Sequence, residues 1–318
     1  MEQFKLIKSD SLEIFKQNAY NPTDIGLVSS NAYLSIVTTN NCQMKCPYCI
    51  NSETDHSLNL DVDKATINIT SLVKKYGVSE AIMLGGEPLL HPNLFDLIKR
   101  LRIESGLKIL RLTTNGIRLK NNPEFIKKLI DKNYGVQGIN ISFHNEDFMS
   151  YSELQQVVKL IKLYNSDIKV RININIWRGN LDSLQDLLEH LSKIGFADEF
   201  RVSNIIPKDS FSVNPVNEEE SLVLPVEQYF NIFNSLIDHY IPHYAIFENE
   251  QTLGFVRYLL IAKPSPIIIN WNIGSTVSKQ VCENNIQTRE INTFKCLVSG
   301  DISLSWNENN IVNINSNL

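Results

Sequence analysis

Three cysteines fall within eight residues, Cys42-Gln-Met-Lys-Cys46-Pro-Tyr-Cys49, and the 318-residue chain holds only five in all. Cysteine thiolate is a soft ligand suited to zinc, copper(I) and iron–sulfur clusters. Three thiolates on one loop can hold three corners of a four-iron cluster and leave the fourth iron without a protein ligand. Such an open position is what chemistry at a metal needs. The rival chemistry is a zinc site completed by a histidine such as His56. Structural zinc sites mostly use paired C-x2-C units, and no second pair lies nearby, so the spacing favours the cluster.

The loop must be positioned by the elements around it. Tyr33–Val37 is a short β-rich run that leads into the cysteines. Beyond it, helical and strand patterns alternate. Helices are predicted over Asp61–Tyr76 (with Asp61 as N-cap), Asn93–Arg102, Pro123–Asp131, Ser152–Tyr164 and Leu181–Ile194. Strands are predicted at Ala81–Leu84, Ile109–Leu112, Gly138–Ser142, Lys169–Ile176 and Phe200–Ile206. Six strands alternating with helices predict βαβ units on a parallel sheet, with every strand's C-terminal end on one rim. In such folds that rim carries the site. After Pro207 the pattern changes. Lys208–Glu220 reads as a linker, Val226–His239 as a helix, Phe255–Ile261 as a short apolar run, and Thr293–Trp306 as a β-hairpin turning at Ser299-Gly300-Asp301. The division is therefore an N-terminal extension over 1–32, a core over 33–207 and a C-terminal extension over 208–318.

Composition sets outer limits. With 43% hydrophobic and 20% charged residues the chain is an ordinary globular protein, and its net charge of −5 offers no attraction to nucleic acid or an anionic membrane surface. No apolar run reaches the length of about 20 residues that spans a bilayer. The start, Met1-Glu-Gln-Phe-Lys, lacks the regions of a signal peptide. The expectation is a cytoplasmic protein, where clustered cysteines bind metal rather than pair as disulfides.

Further polar motifs stand at the predicted strand ends. Gly85-Gly86-Glu87-Pro88 follows the second strand, Leu112-Thr-Thr-Asn-Gly116 closes the third, and Ser142 ends the fourth. Alternation along Val170–Gly179 puts Arg171, Asn173 and Asn175 on one face and the isoleucines on the other. Polar side chains pointing into a barrel are costly unless they meet a ligand or water. Taken alone, Gly-Gly-Glu-Pro and Asn-Gly are turn signals. Together with a C-x3-C-x2-C loop after a strand, with aromatic Tyr48 before the last cysteine, they resemble the radical S-adenosylmethionine (SAM) superfamily.

That resemblance covers roughly Tyr33 to Pro207. It implies a partial (β/α)6 TIM-like barrel of α/β class, closed by a small C-terminal α/β extension. It implies a 4Fe–4S cluster on Cys42, Cys46 and Cys49, and S-adenosylmethionine bound by Tyr48, Gly85, Gly86, Glu87, Pro88, Thr114, Asn115, Ser142, Asn173 and Ile206. In the family, the Gly-Gly-Glu-Pro segment hydrogen-bonds the amino group of SAM, for which backbone carbonyls and a carboxylate are suitable acceptors. Ile206, before the proline, would contact adenine. The implied activity is reductive cleavage of SAM to a 5′-deoxyadenosyl radical that abstracts hydrogen from a substrate. An electron donor such as flavodoxin or ferredoxin is implied as a partner.

The nearest branch holds the GTP cyclase of molybdenum-cofactor synthesis and the peptide maturases with SPASM or twitch regions. Cys282 and Cys296 echo part of the cyclase's second-cluster motif, but Lys279 stands where its first cysteine would fall. Two thiols cannot by themselves hold a cluster, so the auxiliary site is incomplete and the C-terminal region reads as a degenerate twitch. The cyclase's GTP-binding arginines are replaced by residues such as Ser35 and Ile82, and its Gly-Arg-Gly-Gly tail is absent. The substrate expected from this is a ribosomally made peptide, with a nucleotide, sugar or other small metabolite as the alternative. A non-catalytic metal-binding protein is the reading from a different class, although a structural metal site would not require Gly85–Pro88.

Overall fold

A computed structural model describes residues 20–49, 54–144, 146–184, 186–187, 197–205, 244–247, 255–260, 267–272, 290–304 and 311–314, with single positions 222, 224, 228, 231, 232 and 235. Six parallel strands form its centre: β2 (Gly26–Val37), β3 (Glu80–Leu84), β4 (Ile109–Thr114), β5 (Gly138–Ser142), β6 (Lys169–Ile176) and β7 (Glu199–Asn204). They lie side by side in chain order, as right-handed βαβ crossovers require. The sheet is α/β and does not close, which makes it the partial barrel expected from the sequence.

The helices cover one face of this sheet. They are α1 (Val62–Tyr76), α2 (Leu94–Ile103), α3 (Pro123–Leu129) and α4 (Tyr151–Tyr164). Asp61 caps α1 by accepting from the Lys64 backbone N–H, and Gly77 ends it in the left-handed region at φ 71. Ser150 and Glu153 form a capping box on α4. Alternate strand residues face the helices and are fully buried, among them Leu34, Ile36, Met83, Leu110, Leu112, Ile139, Ile141, Ile172, Ile174 and Val202. The other alternate residues, including Arg111, Asn140, Ser142, Asn173 and Asn175, therefore line the concave face. Two ion pairs lie on that face, Glu80–Arg111 and Arg171–Glu199.

The remaining strands sit outside the six. Strand β1 (Tyr20–Thr23) forms a hairpin with β2, whose start at Gly26 lies upstream of the Tyr33 expected from the sequence. The C-terminal region supplies β8 (Tyr244–Phe247), β9 (Phe255–Leu260) and β10 (Ile267–Asn272) beyond β7, and β11 (Glu290–Cys296) and β12 (Ile302–Ser303) beyond β2. Strand β10 runs parallel to β7, and β11 runs parallel to β2. The extension thus lengthens both edges of one sheet. The expected hairpin is present: Lys295 pairs with Ser303 and Cys296 with Ile302 around the turn at Gly300. The helices expected over Leu181–Ile194 and Val226–His239 lie mostly outside the described residues.

Candidate active site

The cysteine loop begins where β2 ends, and backbone hydrogen bonds close its base. Asn40 N–H donates to Leu58 O (3.0 Å), and Leu60 N–H donates to Thr38 O (2.9 Å). Across the loop, His56 Nδ1 bonds to Asn40 O at 2.9 Å. All three thiols are partly exposed and none is in a disulfide. A tight turn, Cys49 N–H to Cys46 O (3.0 Å), brings two of them close in sequence onto one bend. Burial raises the pKa of the Cys42 and Cys46 thiols. Among the described residues no three His, Cys, Asp or Glu side chains stand gathered as a metal site.

The Gly-Gly-Glu-Pro turn is bonded directly to this loop. Thr38 N–H donates to Leu84 O (2.8 Å), Gly86 N–H to Thr39 O (2.7 Å) and Glu87 N–H to Asn41 O (2.7 Å). The glycines are needed for that approach. A Cβ on Gly85 would lie 2.3 Å from Thr39 O, and one on Gly86 would lie 2.3 Å from Asn41 O. Gly85 also sits at φ 144, where side chains are strained.

Glu87 is only 1% exposed, and its carboxylate is taken up inside the protein. Oε1 accepts from Leu89 N–H (3.0 Å) and Thr114 Oγ1 (2.6 Å), and Oε2 accepts from Asn115 N–H (2.8 Å). Burial pushes its pKa up, against the pull of these donors. Through these three bonds Glu87 joins the loops after β3 and β4. Thr114, 2% exposed, is likewise spent, donating to Glu87 and accepting from Gly116 N–H (3.0 Å). Pro88 is buried and starts a short 3₁₀ turn, Pro88–Leu90.

Asn115, Ser142 and Tyr48 share a cavity of about 410 Å³ with Cys46, Lys45, Phe143, His144, Phe148, Met149 and Trp177. Asn115 Oδ1 accepts from Ile117 N–H (3.0 Å) and Gln43 Nε2 (3.3 Å), which leaves its buried Nδ2 without a partner. Asn173 stands beside Ser142 in the β5–β6 register, with a buried Oδ1 that also has no partner. The Tyr48 ring packs against His144 (5.6 Å) and Trp177 (5.3 Å), and burial raises its hydroxyl pKa. His144 Nδ1 accepts from Asn175 N–H (3.0 Å), and burial lowers its pKa to about 4. His144 and Trp177 carry no motif and were not singled out from sequence; an aromatic after a polar-alternating strand was the only available signal.

Residues 36–207 match the radical SAM superfamily. The chain belongs to it. Radical SAM proteins are enzymes that use a 4Fe–4S cluster and S-adenosylmethionine, and the orphaned buried amides of Asn115 and Asn173, with three free thiols on one loop, fit such a pair of groups. Curated relatives include a GTP 3′,8-cyclase of Clostridium perfringens, 31% identical over 169 residues, or 49% of this chain and 50% of the relative. Molybdenum cofactor biosynthesis protein 1 of Bos taurus is 30% identical over 172 residues, 50% of this chain and 26% of that protein. The chain thus spans half or less of the length of these relatives. Among solved structures, Streptococcus suis SuiB bound to its precursor peptide SuiA overlays with a TM-score of 0.57 at 14% identity, covering 86% of this chain and 59% of that one. An anSMEcpe structure with bound AdoMet and a peptide gives 0.50 at 16% identity, covering 65% and 59%. At such identities the likeness is one of fold.

Three expected residues remain. Ile206 and Cys282 lie outside the described residues. Cys296 is fully buried on the helix-facing side of β11, within the main core, and its thiol contacts Leu297 O. Burial pushes its pKa to about 12. That is the placement of an apolar core thiol. No helix among the described residues is long and apolar enough to cross a membrane.

Proposed function

We propose that this chain cleaves S-adenosylmethionine reductively and uses the resulting radical to remove hydrogen from a ribosomally made peptide. The observation that carries the radical chemistry is the backbone bonding of the Gly-Gly-Glu-Pro turn to the cysteine loop, whose residues Met44–Tyr48 line the cavity. When bound, the cluster and SAM supply one-electron cleavage of the sulfonium and a 5′-deoxyadenosyl radical. Cys42, Cys46 and Cys49 would hold the iron. Carbonyls of the Gly85–Glu87 turn would take the SAM ammonium, and Ser142, Asn115 and Asn173 its other polar groups. Tyr48, Trp177 and Phe148 wall the cavity and exclude water. An electron carrier of the flavodoxin or ferredoxin kind would supply the electron.

Support for a peptide comes from the extent of the fold likeness to SuiB, which covers 86% of this chain, whereas the sequence matches to the cyclases cover 49–63% of it. The cyclases' own 24–31% identity favours a small metabolite as the second reading. The test is incubation of the reconstituted, reduced protein with GTP and, separately, with the product of a short open reading frame beside its gene. A mass change in the peptide supports the proposal; consumption of GTP with no change in the peptide overturns it.

A further inference from the structure

Trp177 lies at the end of β6, on the cavity wall, and three features fix its indole there. Its backbone N–H donates to Asn180 Oδ1 (3.0 Å), and Asn180 Nδ2 donates back to Asn175 O (2.7 Å), which locks the turn. Gly179 lets the indole fold over the turn, since a Cβ there would sit 2.2 Å from the ring's Cη2 and Cζ3. Tyr48, between Cys46 and Cys49 in sequence, packs against the ring at 5.3 Å. The indole is therefore held in one place, yet its Nε1–H is buried with no hydrogen-bond partner. Buried donors are paired in folded proteins, and an exception calls for a group that supplies the acceptor.

A second orphan donor lies on the same cavity. Asn115 Nδ2 is buried and unpartnered, and its amide orientation is set because Oδ1 accepts from Ile117 N–H. Two fixed donors and a wall of aromatic rings call for a planar ligand that carries acceptor atoms. A purine nucleoside has both: a flat face for the rings and ring-nitrogen or ribose-oxygen acceptors.

We propose that Trp177 is a cofactor-binding residue of this chain, whose indole N–H donates to an acceptor of the adenosyl group of S-adenosylmethionine. This rests on the reading that the chain binds SAM. The test is equilibrium dialysis of labelled SAM against the anaerobically reconstituted, unreduced protein, so that binding is read without turnover. Trp177→Phe keeps the ring and removes the donor, and it binds SAM about tenfold more weakly with unchanged iron content. Equal affinity of Trp177→Phe and the unaltered protein overturns the proposal while the SAM reading stands. Absence of SAM binding to the unaltered protein overturns the SAM reading and the proposal with it. If Trp177→Phe does not fold, Trp271→Phe combined with Trp306→Phe leaves Trp177 as the sole tryptophan of the three in the chain. Its emission then changes on addition of SAM; an unchanged spectrum at saturating SAM overturns the proposal.

Discussion

Gly86→Ala isolates the junction on which the site depends. The new Cβ would lie 2.3 Å from Asn41 O, 2.6 Å from Asn40 O and 2.7 Å from Asn41 C. Ordinary C···O contacts begin near about 3.3 Å, so the two backbones must part by roughly 1 Å. The bonds from Gly86 N–H and Glu87 N–H, both 2.7 Å, then pass the useful limit of about 3.5 Å. Two hydrogen bonds are worth about 2 kcal/mol net, and up to about 6 kcal/mol if their groups stay buried and unpaired. Gly77→Ala is the control. Nothing lies within 4 Å of its Cβ, but φ is 71, so its cost is limited to the left-handed penalty of about 1–2 kcal/mol. Urea unfolding under anaerobic conditions, with iron counting on the same samples, compares the two. Gly86→Ala is the less stable and loses iron, because the turn pushes the cysteine loop aside. If it is no less stable than Gly77→Ala and keeps its iron, the argument that these glycines exist for backbone approach is wrong.

Other perturbations test the supporting parts. Thr114→Val removes the donor to Glu87 Oε1 and the acceptor for Gly116 N–H, and costs about 1–3 kcal/mol in urea unfolding, whereas Thr114→Ser is close to neutral; equal stability of all three proteins contradicts the bridging role of Glu87. Cys296→Ala loses about 1 kcal/mol from the core and keeps its iron content; a drop of about one cluster's worth of iron would make it a ligand instead. His144, with its pKa lowered from 6.5 to about 4, binds its proton more weakly folded than unfolded. Its contribution to stability is therefore full above pH 6.5 and is lost as pH falls towards 4, and His144→Gln flattens that part of the profile. An identical acid profile for the two proteins would place His144 in a solvated setting.

Local pattern explains why the core strands were legible. Lys169–Ile176 alternates so strictly that its isoleucines are fully buried and its asparagines face inward, and Asp61 caps α1 where its side chain suggested. The start of β2 was hidden by Ser29-Ser30-Asn31, a polar run that interrupts the apolar pattern, while Gly26–Ser29 is held as strand by pairing with β1. The edge placement of β11 beside β2 joins residues far apart in the chain, which no local period can reveal. The cysteine loop is hydrogen-bonded to the Gly-Gly turn, and Cys46, Tyr48, Asn115 and Ser142 line one cavity. What sequence could not say is how Glu87 is used. A carboxylate in a turn motif reads as a ligand group, and only the three donors around it reveal a bridge between loops. Trp177 escaped for a related reason: its meaning lies in an unpaired indole N–H, a property of packing.

The central claim is that Cys42, Cys46 and Cys49 hold an iron–sulfur cluster at which SAM is cleaved. The most direct measurement is 5′-deoxyadenosine release from SAM by the anaerobically reconstituted protein under a strong reductant, beside Cys46→Ala treated identically. The account predicts release by the unaltered protein, with about four irons per chain, and none from Cys46→Ala. A colourless zinc protein that releases no 5′-deoxyadenosine, or a Cys46→Ala variant as active as its parent, would contradict it.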